Sequence, residues 1–537
     1  MSCFKGKTLS ISTWMAPCKM TECRTFTLLA LLMLTGLLAG CALPSLKDRS
    51  QSVAFVQAQT ADTRLGSAVG REIEAHPDLS GITTLEDPLD AFVARALLAE
   101  ASERSLDVQY YIWRDDITSK LLLYSLYRAA ERGVRVRLLL DDNGIAGMDD
   151  FLAALNHHDN VEVRLFNPFV IRSSRTLGFL TDFGRLNRRM HNKSFTADNQ
   201  ASIIGGRNIA DEYFGVGDGT LFADLDVLAI GPVVERVSRD FDRYWASQSA
   251  YPADRLLSGA DEEDLDAMAA DLASVQQDAE ARRFVAALQN SEFLRELLDR
   301  EVSFVWAPVE MVSDDPAKAQ GLEGEQGLLS QQLALALGEP EKTVTLVSPY
   351  FVPGNRGVEL FRELESAGVQ VRILTNSLEA NDVALVHSGY AKYREALLEA
   401  GVELFELRKF RSEDEDSKSS PRGIAGSSAA SLHAKTFAVD GQSLFVGSFN
   451  FDPRSANLNT ELGFLIKSPE LATALESAFP EKVRLAAYEV MLDEDGNLRW
   501  LEFTGAETIE HYHEPNTGPF KRALVYLFSL LPVEPLL

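Results

Sequence analysis

Cysteine is almost missing from this sequence of 537 residues: Cys3, Cys18, Cys23 and Cys41 are all there is. The chain beyond position 41 therefore offers neither a disulfide framework nor a thiolate metal site. Basic charge is also short, with 52 Lys and Arg against 79 Asp and Glu and a formal net charge of −27. Such a chain repels phosphate at long range, which makes it a poor general partner for nucleic acid or an anionic membrane; an anionic substrate needs a local basic patch. Long apolar runs are missing as well, apart from residues 26–38, which are too few to span a bilayer comfortably. Core-forming material is present in ordinary measure, at 46% hydrophobic and 24% charged residues. The length suits two domains or one large duplicated body.

The apolar run follows Lys19 and Arg24 and closes on Leu38-Ala39-Gly40-Cys41. It resembles a bacterial lipoprotein signal. That resemblance implies translation from Met15 or Met20, cleavage before Cys41 and lipidation of Cys41. It places the protein in the cell envelope facing the periplasm, and Ala42 in place of an Asp favours the outer membrane.

One pattern occurs twice. His191, Lys193, Asp198, Gly205, Gly206 and Asn208 are matched at the same offsets by His433, Lys435, Asp440, Gly447, Ser448 and Asn450. Each copy lies on a strand-like segment, and strand residues two apart share a face, so in each an imidazole and an ammonium converge. Two imidazoles can divide nucleophilic and general-acid work near neutrality. Lysines and asparagines can stabilise phosphoryl oxygens as charge spreads over them, and no metal is needed.

Each copy is preceded by the same order of elements. Strands at 106–113, 133–140 and 161–166 alternate with helices at 119–132 and 148–155. Strands at 344–351, 368–374 and 402–407 alternate with helices at 357–366 and 389–400. The pattern predicts α/β units around largely parallel sheets. The expected divisions are a signal at 1–40, a tether and lead-in at 41–85, a first half at 86–250, connecting helices at 251–335, a second half at 336–505 and an apolar tail at 506–537. The tail reads as docked core rather than membrane contact, because Pro532 and Pro535 interrupt it. A hairpin is expected at 493–496 and a mobile loop at 411–431. Arg172, Arg175, Arg185, Arg188 and Arg189 are interleaved with Leu177, Phe179, Leu180, Phe183 and Leu186. That stretch is readable as a solvated basic face or as an entrance for a greasy anionic substrate.

The doubled pattern resembles the signature of the phospholipase D superfamily. Phe451-Asp452-Pro453-Arg454-Ser455 and Asn459-Thr460-Glu461-Leu462-Gly463 are similar to bacterial cardiolipin synthases, and Gly205-Gly206-Arg207-Asn208-Ile209 to their C-type branch. The resemblance implies two duplicated α/β/α sandwich domains with the active site at their interface. It implies phosphatidyl transfer between phospholipids, phosphatidylglycerol and possibly phosphatidylethanolamine, with no cofactor and no nucleic acid. One histidine, preferably His191, attacks phosphorus and the other protonates the leaving alcohol; water in place of the second alcohol would make the enzyme a hydrolase. Lys193, Lys435, Asn208 and Asn450 would bind phosphate, with Ser448 assisting. A downstream acid fixes each imidazole: Glu461 fits His433, and Asp224, preferred over Asp226, fits His191. Asp198 and Asp440 end their strands and read as braces as much as catalytic groups. Arg188, Arg189 and His387 are candidate substrate contacts. A nuclease and a non-catalytic lipid-binding lipoprotein are the weaker alternatives.

Overall fold

The runs that alternate with helices are rich in Val, Ile and Leu and buried on both faces, which puts them in the middle of a sheet. A computed structural model describes residues 43–216, 221–290, 302–322, 324, 327–381, 383–409, 431–505 and 507–537. The first sheet runs, neighbour to neighbour, through Val305–Ala307, Ser80–Leu85, Asp226–Ile230, Ala201–Gly205, Ser194–Ala197, Ser105–Ile112, Arg135–Gly144, Val161–Phe166 and Ala250–Pro252. The second runs through Val309–Ser313, Leu462–Ile466, Ser443–Gly447, Thr436–Val439, Thr343–Val347, Gln370–Asn376, Glu403–Leu407, Ala487–Leu492, Leu498–Phe503 and Thr508–His511. The six strands from Asp226–Ile230 to Val161–Phe166 match, in order, those from Leu462–Ile466 to Glu403–Leu407, so the duplication seen in the letters is a duplication of topology.

The sheets are mixed, not largely parallel. Only the three α/β strands of each half run parallel; the motif strand and its neighbours pair antiparallel. The cause is a tight turn just after each motif strand. Asp198 and Asn199 have φ of 51° and 49°, and Asp440 and Gly441 have 55° and 61°. Two successive left-handed residues make the turn whose twist matches a hairpin, and Asp, Asn and Gly are the residues that tolerate it. The chain thus folds back on itself where a crossover helix would have kept it parallel.

Helices Pro88–Ala101 and Ile117–Glu131 cover the outer face of the first sheet, and Gly354–Ser366 and Arg394–Glu399 that of the second. The expected helix at 389–400 is two helices, Ala384–Ala391 and Arg394–Glu399. Ser80–Leu85, within the expected lead-in, is a full sheet strand paired with Asp226–Ile230. The chain crosses between sheets at Pro308, with Val305–Ala307 on one edge and Val309–Ser313 on the other. The expected hairpin at 493–496 joins Ala487–Leu492 to Leu498–Phe503. Cys41 and residues 411–430 of the expected loop lie outside the described residues.

The inner faces carry Pro232–Trp245 and Pro469–Ala478 and meet in one core. Ile204, Val227, Val234, Leu444, Val446 and Phe464 are buried together. Each large aliphatic side chain removed from water there contributes about 1.5–3 kcal/mol, so the halves are held as one body.

Candidate active site

The two histidines enter the site through matching latches between the halves. Met190 bridges Thr460 in parallel, His191 donates its N–H to Thr460 O at 2.8 Å, and Thr460 returns one to Arg189 O at 2.9 Å. In the other half Ser431–Leu432 pairs in parallel with Phe222–Ala223, and His433 donates its N–H to Ala223 O at 2.7 Å. The residue after Thr460 is Glu461 and the residue after Ala223 is Asp224. The register therefore delivers each carboxylate to the histidine of the opposite half. His191 Nδ1 is 2.8 Å from Glu461 Oε2, and His433 Nδ1 is 2.6 Å from Asp224 Oδ2. This corrects the expected pairing of Glu461 with His433 and of Asp224 with His191. Asp226 serves elsewhere, buried against Arg95 at 2.7 Å and Arg207 at 3.3 Å.

The strands begin at Ser194 and Thr436, so each His-x-Lys lies in the extended lead-in rather than in the strand itself. The lysines still fold onto their own histidines. Lys193 Nζ donates to His191 O at 2.5 Å, and Lys435 Nζ donates to His433 O and lies 3.2 Å from His433 Nε2. Tyr111 meets the His191 ring edge to face at 5.0 Å, and Tyr213 does the same for His433 at 5.0 Å. Phe222 packs on His433 from another side. These aromatic walls and the Thr460 and Ala223 latches went unnoticed in the sequence; the adjacency of Thr460 and Ala223 to the acids was the signal.

Burial sets the charge state. It lowers His191 to about 4, with Lys193 adding to the effect and Glu461 opposing it. It lowers His433 to about 3, with Lys435 adding and Asp224 opposing. Burial works against the carboxylate of Asp224, but His433, Lys435 and Arg207 outweigh it and hold the group at about 2. Glu461 is likewise held low against its burial by His191, Lys193 and Ser448. At neutral pH both carboxylates are ionised and both imidazoles neutral. A carboxylate only accepts, so each Nδ1 carries the proton and each Nε2 presents a lone pair. Burial, and then Lys435, lower Lys193 to about 7.

Ser448 and Gly206, the one mismatch between copies, flank the two acids. Ser448 Oγ donates to Glu461 Oε2 at 2.5 Å, and Ser455 Oγ to Glu461 Oε1 at 2.8 Å. A Cβ on Gly206 would lie 2.0 Å from Asp224 Oδ1, so only glycine fits. Asn208 spends its amide on the Ile112 N–H and the Tyr213 hydroxyl, while Asn450 Oδ1 is buried without a protein partner among the described residues.

Asp198 and Asp440 are not gathered with these groups. Asp198 accepts the backbone N–H groups of Glu103, Arg104 and Ser105, and Asp440 those of Glu341, Lys342 and Thr343. Each stands five residues from its lysine, roughly 16 Å along an extended strand, and braces the start of the neighbouring one. Arg189 is buried on Asp141, with Nε to Oδ1 at 2.9 Å, and Arg188 donates to Lys318 O and Asn457 O. Arg172 is held by Asp142 and Asp149, Arg175 by Asn143 O, and Arg185 by Asp182. In the basic stretch Arg172, Arg185 and Arg189 are thus paired with carboxylates, and Arg175 and Arg188 are tied to backbone carbonyls. His387 is buried in a separate network with Glu514 and Arg394, away from the imidazole pair.

Comparison with known proteins agrees with this geometry. The family model described as cardiolipin synthase, PLD-like domain, matches residues 95–245 and 333–483, one copy in each half. Cardiolipin synthase C of Escherichia coli K12 is 49% identical over 88% of this chain and the whole of that protein. Cardiolipin synthase B of Shigella flexneri is 24% identical over 69% of this chain and 72% of its own length. Among solved structures, phosphatidylserine synthase of Haemophilus influenzae superposes with a TM-score of 0.54 at 16% identity, covering 88% of this chain and all of that one, which shows a shared fold. With both copies of the motif matched and a relative alike over its full length, the chain belongs to the phospholipase D-like family of cardiolipin synthases.

Proposed function

We propose that the protein is a phosphatidyltransferase that makes cardiolipin from two phospholipids by way of a phosphohistidine. The observation that carries this reading is the crossed pair of neutral imidazoles. Each is held by a carboxylate at Nδ1, and the His433 ring also meets Lys435 Nζ, 3.2 Å from its Nε2. Lys193 and Lys435 lie close enough to act on each other electrostatically. In the first step His191 Nε2 bonds to phosphorus of phosphatidylglycerol as the bond to the glycerol oxygen breaks. The departing oxygen takes its proton from His433 Nε2, which is neutral in the free protein and gains that proton from water as the anionic phosphodiester binds beside it. In the second step His433, now neutral, accepts the hydroxyl proton of a second phosphatidylglycerol. That oxygen bonds to phosphorus, the N–P bond breaks, and His191 is restored. Lys193 and Lys435 stabilise the charge that spreads over the phosphoryl oxygens.

The substrate pair and the site of action complete the proposal: phosphatidylglycerol as acceptor, phosphatidylglycerol or phosphatidylethanolamine as donor, and a lipid anchor at Cys41 facing the periplasm. Among the described residues no helix is long and apolar enough to cross a membrane. The test is incubation of purified protein with labelled phosphatidylglycerol, with and without phosphatidylethanolamine. Cardiolipin with released glycerol or ethanolamine is the expected product. Phosphatidic acid alone would replace transfer by hydrolysis, and full turnover in His191→Ala or His433→Ala would overturn the shared site.

A further inference from the structure

The C-terminal helix Pro519–Ser529 is docked the wrong way round for a surface helix. Its polar side chains turn inward: Lys521 Nζ donates to Leu378 O at 2.6 Å and Arg522 Nη1 to Thr517 O at 2.5 Å. Its outward face, continued past the helix end, is Phe520, Ala523, Tyr526, Leu527, Leu530 and Leu531. Phe520 is 81% exposed and Leu530 64%, while Val525 on the opposite side is buried. The spacing of 523, 526, 527, 530 and 531 is that of one continuous helical face. A second apolar ridge lies in the other half. Helix Arg175–Thr181 and the residues after it expose Leu177, Leu180 (77%) and Phe183, again one side of a turn.

These ridges are tied together beside the site. Arg454 donates through Nη1 and Nη2 to Asn187 O and Oδ1, at 3.0 and 2.6 Å, and through Nε to Leu536 O at 3.0 Å. Asn187 lies between Phe183 and His191, Leu536 follows the C-terminal helix, and Arg454 follows Asn450. Arg454 thus joins the segment that leads from the first ridge to His191 with the segment that follows the second ridge. The nearby Arg172 and Arg185 are paired with carboxylates and Arg175 with a carbonyl, while Lys521 and Arg522 at the head of the C-terminal helix turn inward onto carbonyls, so the outward faces of both ridges present hydrocarbon.

We infer that the two ridges insert together into the outer part of a phospholipid bilayer, seating the active-site mouth on the lipid surface. A bilayer fits these ridges because the substrates proposed above are phospholipids and the outward faces are apolar, and contiguous exposed apolar surface of this kind marks an interaction site. The inference rests on the proposed phosphatidyl transfer for the reason to seat the mouth there, but insertion is measurable without catalysis. It is driven by apolar area, so it proceeds on zwitterionic vesicles and persists at high salt.

The test uses the full chain with single substitutions Leu180→Trp, Leu530→Trp and, as a control, Val53→Trp. Val53 lies two residues from Phe55, whose carbonyl accepts from Asn199 at the far end of the motif strand. Spectra are read as differences from the unsubstituted protein on phosphatidylcholine vesicles brominated in the upper acyl chain. Quenching and a blue shift at positions 180 and 530, with none at 53, are expected at both low and high salt. Absence of quenching at either ridge overturns the inference. So does a blue shift without quenching that accompanies dimerisation, which would mean that a second copy covers the ridges. Leu180→Glu combined with Leu530→Glu should lower the vesicle rate roughly tenfold or more, about what losing two buried apolar side chains implies. The rate on detergent-dispersed phosphatidylglycerol should be retained. No transfer by the unsubstituted protein in either medium defeats the functional reading alone, and quenching still decides insertion.

Discussion

Replacing Glu461 by Gln removes one negative charge and leaves the shape of the site intact. Glu461 is fully buried and accepts from His191 Nδ1, Ser448 Oγ and Ser455 Oγ. A hydrogen bond to a charged group contributes about 1.5–3 kcal/mol. At 1.36 kcal/mol per decade, loss of that stabilisation when His191 gains positive character lowers kcat about 10- to 150-fold. The glutamine can still accept from Nδ1 through its oxygen, so KM should change little. The crossing itself is read by nitrogen NMR of histidine-labelled protein. Glu461→Gln should move the ring signals of His191 and leave those of His433 in place, and Asp224→Asn should do the reverse. Signals of His433 responding to Glu461→Gln would refute the crossed register, whatever the rate did.

Four further outcomes are expected. Lys193, at about 7, loses its proton as pH rises, so kcat/KM should fall above about pH 7; a bound phosphate favours the ammonium and carries the limb of kcat to higher pH, and Lys193→Arg should abolish the limb near 7. Both imidazoles titrate lower folded, at about 4 and about 3, than unfolded, so the unfolded chain binds more protons below pH 6.5. Stability should therefore fall as pH drops from 6.5 toward 3, and His433→Ala should flatten the dependence of Tm on pH. Gly206→Ala drives a Cβ to 2.0 Å from Asp224 Oδ1; it should cost about 1–3 kcal/mol of stability by overpacking, seen in urea melts, and remove most of the activity by turning His433. Asp198→Ala should destabilise more than Asp440→Ala, because the amides that Asp198 serves are the more buried set, and in both variants kcat per folded molecule should be unchanged.

What was legible in the sequence was everything that repeats or lies close along the chain. His191 and His433 stand out because fixed offsets recur, and the order of strands and helices recurs with them. The partners of those groups were not legible, because partnership is decided by which strands lie side by side. Glu461 follows His433 by 28 residues, and that spacing is compatible with a contact inside one half. Only the parallel bridges of Met190 with Thr460 and of Leu432 with Ala223 carry the acids across. The arginines from 172 to 189 failed in the same way: their charge was visible, but Asp141, Asp142 and Asp149, which hold Arg189 and Arg172, lie up to 48 residues away in sequence. In the tail, two prolines predicted an interruption, and Lys521 and Arg522 stand together at its head. Which face docks depends on Leu378 and Thr517, which the pattern does not name.

The mismatch between Gly206 and Ser448 follows from the same crossing. A glutamate reaches one methylene further than an aspartate, so Glu461 can approach His191 with a hydroxyl-bearing residue beside it, and Ser448 fills that space and holds Oε2. Asp224 is shorter and must bring its backbone close to reach His433 at 2.6 Å, which leaves 2.0 Å where a Cβ on residue 206 would stand. Glycine in the first motif thus answers aspartate in the first half, and serine in the second motif answers glutamate in the second half, although each acid serves the other half's histidine. The two imidazoles are consequently unequal: Glu461 is shared among His191, Ser448 and Ser455, whereas Asp224 accepts from His433 and its neighbour Leu225. A site that needs one nucleophile and one acid from a duplicated ancestor gains that distinction from a single methylene.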